Sequence, residues 1–315
     1  MGYSRWSDQA YQQRQHQRHQ TRQSAFTYDQ QVRNSGNQRV HPQMDPYCVT
    51  RESRDSAQHP DSVAIAVIFD VTGSMGNVPR ILQTKLGKLM RLLIERGYLA
   101  HPQVLFGAVG DAHTDNVPLQ IGQFESGLEM DDELGKIYLE GGGGGQVHES
   151  YELELYLCAR HTAIDCYERR GKKGYLFTIG DEKPYPAVLR EQVRTLIGDG
   201  RESDIPIAQV IAEVQQRYEY FHIIPTHTAH GRSADVQARW RDLLGERVLL
   251  LDDEAAVCET IGLAIGLCEG TIYSLSSGVG DLQSAGYDST ATQTAANALI
   301  AYADRHAAPQ WRVVA

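Results

Sequence analysis

The stretch VAIAVIFDVTGSM (residues 63–75) decides the fold class of this chain. It begins with seven consecutive apolar residues, a run that is typical of a central parallel strand buried on both faces. The run ends on Asp70, and hydroxyl side chains follow at Thr72 and Ser74. An acid and two hydroxyls at the end of a buried strand are compatible with metal ligation, with phosphoryl transfer and with capping of the next helix.

Strand and helix patterns alternate along the chain after this stretch. Further strands are predicted at 103–111, 174–181, 220–226 and 246–253, and helices at 79–97, 149–169, 205–218, 233–245 and 254–270. The short segment 117–124 also alternates, and its position soon after a strand predicts an antiparallel edge strand. We therefore expect an α/β fold of Rossmann-like type, with a doubly wound, mostly parallel sheet and one antiparallel edge strand.

The composition divides the chain into three parts. Residues 1–60 are rich in Gln, Arg and His, which predicts a flexible arm anchored at most by Trp6 and Tyr11. Residues 61–269 carry the strand and helix pattern, and residues 270–315 form a Ser/Ala/Gly-rich tail with one possible helix near 290–305. Because the arm is locally basic, we expect it to lie against the acidic body or a neighbouring subunit, with RNA as the alternative.

The overall charge and the cysteines limit the class of protein. The chain has 315 residues and a formal net charge of -10, which disfavours nucleic acid as the main partner because such binding needs a basic face. Its five cysteines are widely spread without a CxxC pair, so free thiols are expected. No secretory segment and no membrane-length apolar run is evident, which predicts a cytoplasmic protein without membrane contact.

Three acids follow predicted strands at the edge where a parallel sheet binds its ligands. These are Asp70, Asp111 and Asp181. A carboxylate with two hydroxyls two and four residues later provides hard oxygen ligands, which suit Mg²⁺ or Mn²⁺. Since a second acid, Asp181, ends another strand, we favour a cation site over simple helix capping by Thr72 and Ser74.

The segment IFDVTGSM (68–75) resembles the first motif of the metal-ion-dependent adhesion site in von Willebrand factor type A domains, in the DxTGSM form of many intracellular bacterial members. The resemblance covers residues 62–268 and implies a cation bound by Asp70, Thr72, Ser74 and Asp181. The family's loop threonine has no counterpart in EGGGGGQVHESYEL (140–153), so Gln146 or Glu149 is expected to replace it. Asp111 is expected to bind a metal-bound water.

What this resemblance implies is a binding module and not an enzyme. Such domains use the cation to capture an Asp or Glu of a protein partner, whose carboxylate completes the coordination. Intracellular bacterial relatives work beside AAA+ ATPases of the MoxR type or in stress and phage-conflict systems. We therefore expect an adaptor with a protein partner that supplies an acidic residue.

The alternative interpretation is a phosphatase or phosphotransferase of the haloacid dehalogenase class. Enzymes of that class also begin with an apolar strand ending in an acidic motif, and Asp70 would then be the covalent nucleophile. Thr72 occupies the place of that class's usual second acid, and Pro184 and Tyr185 stand where its late motif needs another. The loop histidines His222, His227 and His230 offer a zinc site in principle, but a polar loop is the favoured interpretation.

Overall fold

A computed structural model describes residues 2–75, 77–141 and 147–306, with the side chain of Ser74 excepted. The strands in chain order are β1 (Arg51–Ser53), β2 (Val63–Asp70), β3 (Pro102–Val109), β4 (Leu119–Ile121), β5 (His148–Glu149), β6 (Thr162–Ile164), β7 (Gly174–Ile179), β8 (Lys183–Pro184), β9 (Ala187–Val188), β10 (Ile205–Pro206), β11 (Tyr218–Pro225) and β12 (Val248–Leu251).

Helices lie between these strands and at both ends of the described chain. They are α1 (Asp8–Thr21), α2 (Thr27–Ser35), α3 (Val78–Glu95), α4 (Glu129–Gly135), α5 (Tyr151–Arg160), α6 (Asp165–Glu168), α7 (Arg190–Gln192), α8 (Ile207–Arg217), α9 (Ala234–Leu244), α10 (Val257–Glu269), α11 (Leu275–Ser284), α12 (Ser289–Ala298) and α13 (Ile300–His306). None of the helices in the described ranges has the length and apolar character needed to cross a membrane.

The central sheet has six strands within the described residues, in the order β12-β11-β7-β2-β3-β4. All neighbours in this order are parallel except β3 and β4, which pair antiparallel. Strand β2 lies in the middle, with β7 on one side and β3 on the other. The predicted α/β class, with a doubly wound and mostly parallel sheet and an antiparallel edge strand, is confirmed.

Strand β2 is buried on both faces because its side chains alternate between two apolar layers. Val63, Ile65, Val67 and Phe69 belong to the layer that includes α3 and α10, and Ile68 belongs to the opposite layer that includes α5 and α8. Alternate strand residues point to opposite faces, so the unbroken apolar run is what a strand covered by helices on both faces requires.

Two predicted boundaries changed in the middle of the chain. The helix predicted at 149–169 ends at Arg160, and the short strand β6 follows it before α6 begins. The interruption contains Thr162 and Ile164, whose branched Cβ atoms favour extended backbone. Strand β6 pairs in parallel with β1 of the N-terminal segment, which a local helix pattern does not reveal.

The N-terminal segment differs from the predicted flexible arm. It forms α1, α2 and β1, and it packs on the body through Tyr11 and Phe26, which are buried in the core. Helix α1 lies close to α3, where a Cβ at Gly87 would be 2.9 Å from the Tyr11 ring. The scarce apolar residues of the segment are therefore sufficient as anchors, and its Arg14 and Arg18 form ion pairs with Asp131 of α4.

The C-terminal segment also differs from the prediction of a weakly ordered tail with one helix. Within its described part, residues 270–306, it forms α11, α12 and α13. Leu282, Ala295, Leu299 and Tyr302 are buried in the same core layer as α3 and α10. Small side chains such as Ala295 allow α12 to lie close against α10 and β12, so a composition poor in large apolar residues still makes a packed layer.

Candidate functional site

Asp70 lies at the carboxyl edge of the central sheet, where the parallel strands β2 and β7 end side by side. Phe69 of β2 is paired with Ile179, the last residue of β7, so the chain after Ile179 runs directly past Asp70. Gly180 occupies this point, and a Cβ there would overlap the hydroxyl of Tyr151. A glycine is thus required for the close approach of β7 to the first residue of α5.

A second, smaller pairing brings Glu149 to the same place. Strands β5 and β8 have two residues each and pair in parallel, with Glu149 opposite Pro184. The Lys183 amide donates a hydrogen bond to the Val147 carbonyl at 3.0 Å, which extends this pairing. As a result Glu149, just before α5, lies beside Glu182, just after β7.

Asp70, Glu149 and Glu182 form an acid cluster. One carboxylate oxygen of each lies within 4.8 Å of one from each of the others. The three residues are only 0%, 2% and 6% exposed. Glu149 Oε2 and Glu182 Oε2 are buried and have no hydrogen-bond partner among the described residues.

The electrostatics of the acid cluster are unfavourable to three ionised carboxylates. Burial raises the pKa of Asp70 well above its usual range. Hydrogen bonds from Thr72 lower this pKa by less, and the negative charges of Glu182 and Asp181 raise it again. Burial and the negative charges of Asp70 and Glu182 likewise raise the pKa of Glu149. Such groups retain protons unless a positive charge neutralises them.

Aromatic side chains lie directly beneath the acid cluster. The Tyr151 hydroxyl donates to Asp70 Oδ2 at 3.5 Å, and its ring packs edge-on against Trp240 at a centroid separation of 5.3 Å. His222 stacks on Trp240 at 3.6 Å, and its Nδ1 contacts the Thr178 hydroxyl at 2.7 Å. His227 pairs instead with Glu254 at 2.6 Å, so these histidines do not converge on one metal position.

The structure places the residues predicted for the site in three different situations. Asp70 and Glu149 belong to the acid cluster, and Thr72 contacts Asp70 through its backbone amide at 2.7 Å. Asp181 is fully buried next to Glu182, and its Oδ2 accepts a hydrogen bond from the His230 amide at 3.3 Å. The side chain of Ser74 and all of Gln146 lie outside the described part of the chain.

Asp111 lies on the same edge of the sheet but outside the acid cluster. Its carboxylate accepts hydrogen bonds from the His113 amide at 2.9 Å, the Thr114 hydroxyl at 3.0 Å and the Tyr185 hydroxyl at 3.0 Å. These donors hold the loop after β3 in place. The structure therefore gives Asp111 a loop-stabilising role, and its predicted contact with a metal-bound water remains a prediction.

Sequence reasoning missed Glu182 and Tyr151. Glu182 follows Asp181 directly, and a single position in the sequence does not distinguish which of two adjacent acids faces Asp70. The pairing of β5 with β8 brings Glu182 to Glu149 across 33 positions, and two-residue strands leave no periodic pattern in the sequence. In the sequence, Tyr151 has the pattern of an ordinary core residue at the start of a helix. Gly180 is the one local sign that another side chain packs closely against the end of β7.

A small cavity opens on this edge at the turn after Asp70, and its described lining includes no residue of the acid cluster. Its volume is about 170 Å³, and it is lined by Gly73, Met75, Asn77, Val78, His227, Thr228 and Glu254. The first four residues belong to the turn that follows Asp70 and to the start of α3. A side chain from another molecule therefore has room next to the strand end that carries Asp70.

Comparison with known proteins gives the chain distant structural neighbours. No protein-family model matches it. No curated protein sequence matches it either. Among solved structures it is similar to the pilus adhesin SpaC from Lactobacillus rhamnosus GG in its open conformation, at 10% identity and a TM-score of 0.45, covering 70% of this chain and 31% of the adhesin. It is also similar to proximal thread matrix protein 1 from the mussel byssus, at 10% identity and a TM-score of 0.42, covering 70% of this chain and 48% of the other. The chain thus spans less than half the length of either neighbour.

Proposed function

We propose that this protein is a cation-dependent protein-interaction module of the von Willebrand factor A type. The observation that carries the proposal is the acid cluster, in which buried carboxylate oxygens of Glu149 and Glu182 have no hydrogen-bond partner among the described residues. A divalent cation would supply the missing positive charge, and carboxylate oxygens are the ligands that such hard cations prefer. Asp70, Glu149 and Glu182 would hold it, with Thr72, Ser74 and Asp181 as the further ligands that the sequence predicts.

The sequence predicts Mg²⁺ or Mn²⁺ as the divalent cation, and in this proposal a protein partner supplies an Asp or Glu that completes its coordination. The cavity beside the turn after Asp70 supports this, because it gives a partner's side chain access to the same edge of the sheet. An AAA+ ATPase of the MoxR type is the first partner to test, on the resemblance alone. The predicted cytoplasmic location is kept, and the five free cysteines are compatible with a reducing compartment.

A non-enzymatic role is preferred over the haloacid dehalogenase alternative. Asp70 is 0% exposed, and its carboxyl accepts a hydrogen bond from the Thr72 amide at 2.7 Å. A covalent nucleophile must reach the phosphorus atom of its substrate, whereas the carboxyl of Asp70 is covered by protein. These two properties suit a ligand beneath a cation better than a group that attacks a phosphate.

The test is partner capture with the full chain as bait, in Mg²⁺ and in EDTA, with Asp70→Asn as the matched variant. We expect partners that are retained in Mg²⁺, released by EDTA and by a short acidic peptide, and lost with Asp70→Asn. The same partners under all conditions would contradict the proposal. Stable beryllofluoride labelling of Asp70 together with phosphatase activity would favour the enzyme instead.

A further inference from the structure

The acid cluster has a ligand composition that discriminates between divalent cations. It contains three carboxylates, and a fourth, Asp181, is buried next to Glu182. Protein sites for Mg²⁺ usually provide one or two carboxylates and leave several waters on the cation, because Mg²⁺ loses water reluctantly. A site with more carboxylates than this replaces water by protein oxygens.

The burial of the acid cluster also favours a cation that gives up its bound waters. Asp70, Glu149 and Glu182 are 0%, 2% and 6% exposed, and Tyr151, Trp240 and His222 close the site from below. On the side formed by these residues, little of the cation's first shell would remain in contact with solvent. A cation that tolerates dehydration is therefore favoured over one that retains its waters.

The two glutamates add flexibility where the adhesion-site motif uses a threonine. A carboxylate on a longer side chain ligates through one oxygen or through both, and Glu149 and Glu182 each hold one unpartnered oxygen. Ca²⁺ accepts roughly six to eight oxygen ligands in variable geometry, including bidentate carboxylates. This coordination number accommodates the three clustered carboxylates and still leaves positions for a hydroxyl and for a partner's carboxylate.

We infer that Glu149 and Glu182 replace the missing threonine as direct ligands and make this a carboxylate-rich site that selects Ca²⁺ over Mg²⁺. The inference rests on the proposed function in that it requires the acid cluster to bind a cation at all. It departs from the sequence-based expectation of Mg²⁺ or Mn²⁺ because that expectation counted Asp70 with two hydroxyls and did not include Glu182.

The experiment uses Tb³⁺, a luminescent probe for Ca²⁺ sites, with the chelator-treated full chain. Tyr151 lies 3.5 Å from Asp70 Oδ2 and packs against Trp240, so excitation of these aromatic rings should sensitise emission from Tb³⁺ in the cluster. Ca²⁺ and Mg²⁺ are then titrated as competitors. We expect Ca²⁺ to displace half of the Tb³⁺ at a concentration about tenfold or more below that of Mg²⁺.

Matched variants assign the selectivity to the two glutamates. Glu149→Gln and Glu182→Gln should each raise the Ca²⁺ concentration needed for displacement about tenfold while changing that for Mg²⁺ less. The control is Glu152→Gln, an equally buried acid whose Oε2 accepts the Tyr185 amide at 3.1 Å outside the cluster. It should leave both titrations unchanged, and thermal unfolding of each variant checks that it folds.

The outcomes separate this inference from the proposed function. If Mg²⁺ competes as well as Ca²⁺, or if both Gln variants behave like wild type, the inference is overturned while cation binding stands. If the site-specific emission is no greater for wild type than for Asp70→Asn, and neither cation stabilises the protein, both are overturned. The wild-type competition decides the selectivity even where a variant fails to fold.

Discussion

Two regions of the molecule bury carboxylates in opposite electrostatic settings. Asp131 of α4 is fully buried, and Arg18 of α1 pairs with its Oδ2 at 2.6 Å while Gln83 donates to its Oδ1 at 2.9 Å. Glu149 is almost as buried, but the charges that act most strongly on it are those of Asp70, Glu182 and Asp115, all negative. One acid is neutralised by the chain itself, and the other is not.

The two regions differ in whether the chain itself provides the positive charge that compensates a buried carboxylate. A buried charge is tolerated when a partner of opposite sign is fixed beside it. The N-terminal segment provides that partner for Asp131, so this region is complete in the isolated chain. No lysine or arginine of the described chain pairs with the acid cluster in this way; in our proposal a bound metal ion fills that role, and protons do so without it, so the stability of this region should depend on the solution conditions.

The largest effect is expected from removing the arginines that pair with Asp131. Replacing Arg14 and Arg18 together by Ala leaves Asp131 buried without its cations, which should lower the free energy of unfolding by about 3 kcal/mol. Urea unfolding measures this loss. Adding Asp131→Asn to the double variant should restore part of the stability, and the exposed Arg39→Ala is the control. An unchanged midpoint in the double variant would mean that the pairing contributes nothing.

The next largest effect is expected from adding a cation to the acid cluster. A cation that binds only the folded protein should raise its free energy of unfolding by about 2.7 kcal/mol at a hundred times its dissociation constant. Thermal unfolding with and without EDTA reports this gain. Asp70→Asn should abolish it, whereas the Arg14 and Arg18 variants should retain it, because they alter only the other region. Equal stabilisation of Asp70→Asn by the cation would place the bound ion elsewhere.

A smaller effect is expected from pH in the cation-free protein. Burial raises the folded-state pKa of Asp70, Glu149 and Glu182, and that of Glu152 to about 8. A raised carboxyl pKa means that the folded state holds protons that the unfolded state has released. The associated stability is complete below the unfolded pKa near 4.5 and is lost as pH rises through the folded value.

Unfolding at about pH 5.5 and about pH 8.5 in EDTA should therefore differ by about 2 kcal/mol, with lower stability at the higher pH. Saturating cation should reduce the difference, because it neutralises the ionised carboxylates. A protein that becomes more stable over this interval in EDTA would contradict the assignment of raised pKa values to these four buried carboxyls.

The smallest effects should follow from removing one phenol hydroxyl in each region. The Tyr11 hydroxyl donates to the Gln83 carbonyl, so Tyr11→Phe should cost about 1 kcal/mol. The Tyr151 hydroxyl lies at the long distance of 3.5 Å from Asp70, so Tyr151→Phe should cost about 0.5 kcal/mol or less. Chemical denaturation of the two variants side by side tests whether Tyr11→Phe lowers the free energy of unfolding more than Tyr151→Phe does.

The sequence predicts the central layers of this molecule and misses what long-range pairing adds. The apolar run of β2 and the helical spacing of α3 are local patterns that survive in the structure with small changes of boundary. The position of Asp70 at the sheet edge follows from the same reasoning. The arm and the tail were underestimated because a few anchors such as Tyr11 and Leu282 decide their packing, and average composition does not show single anchors.

The candidate site was predictable only in part. Asp70 was singled out as the acid at a strand end, Glu149 was expected from the resemblance as a replacement for the family's loop threonine, and both lie in the acid cluster. Glu182 joins them through the pairing of two-residue strands, which has no periodic signature in the sequence. Asp111 was expected to bind a metal-bound water, and the donors that surround its carboxylate become visible only when the loop is folded.

Helix α5 extends from the acid cluster to the pairing of β1 with β6. Tyr151 at its start contacts Asp70, and one residue after its end at Arg160 the His161 carbonyl accepts a hydrogen bond from the Arg51 amide at 2.8 Å, where β1 of the N-terminal segment begins. Nine of its ten residues are buried, so the helix behaves as a rod about 15 Å long. A ligand at the sheet edge that displaced α5 would therefore also move the β1–β6 pairing, and in that case thermodynamic reciprocity would require a partner bound to the N-terminal segment to change ligand affinity by the same factor.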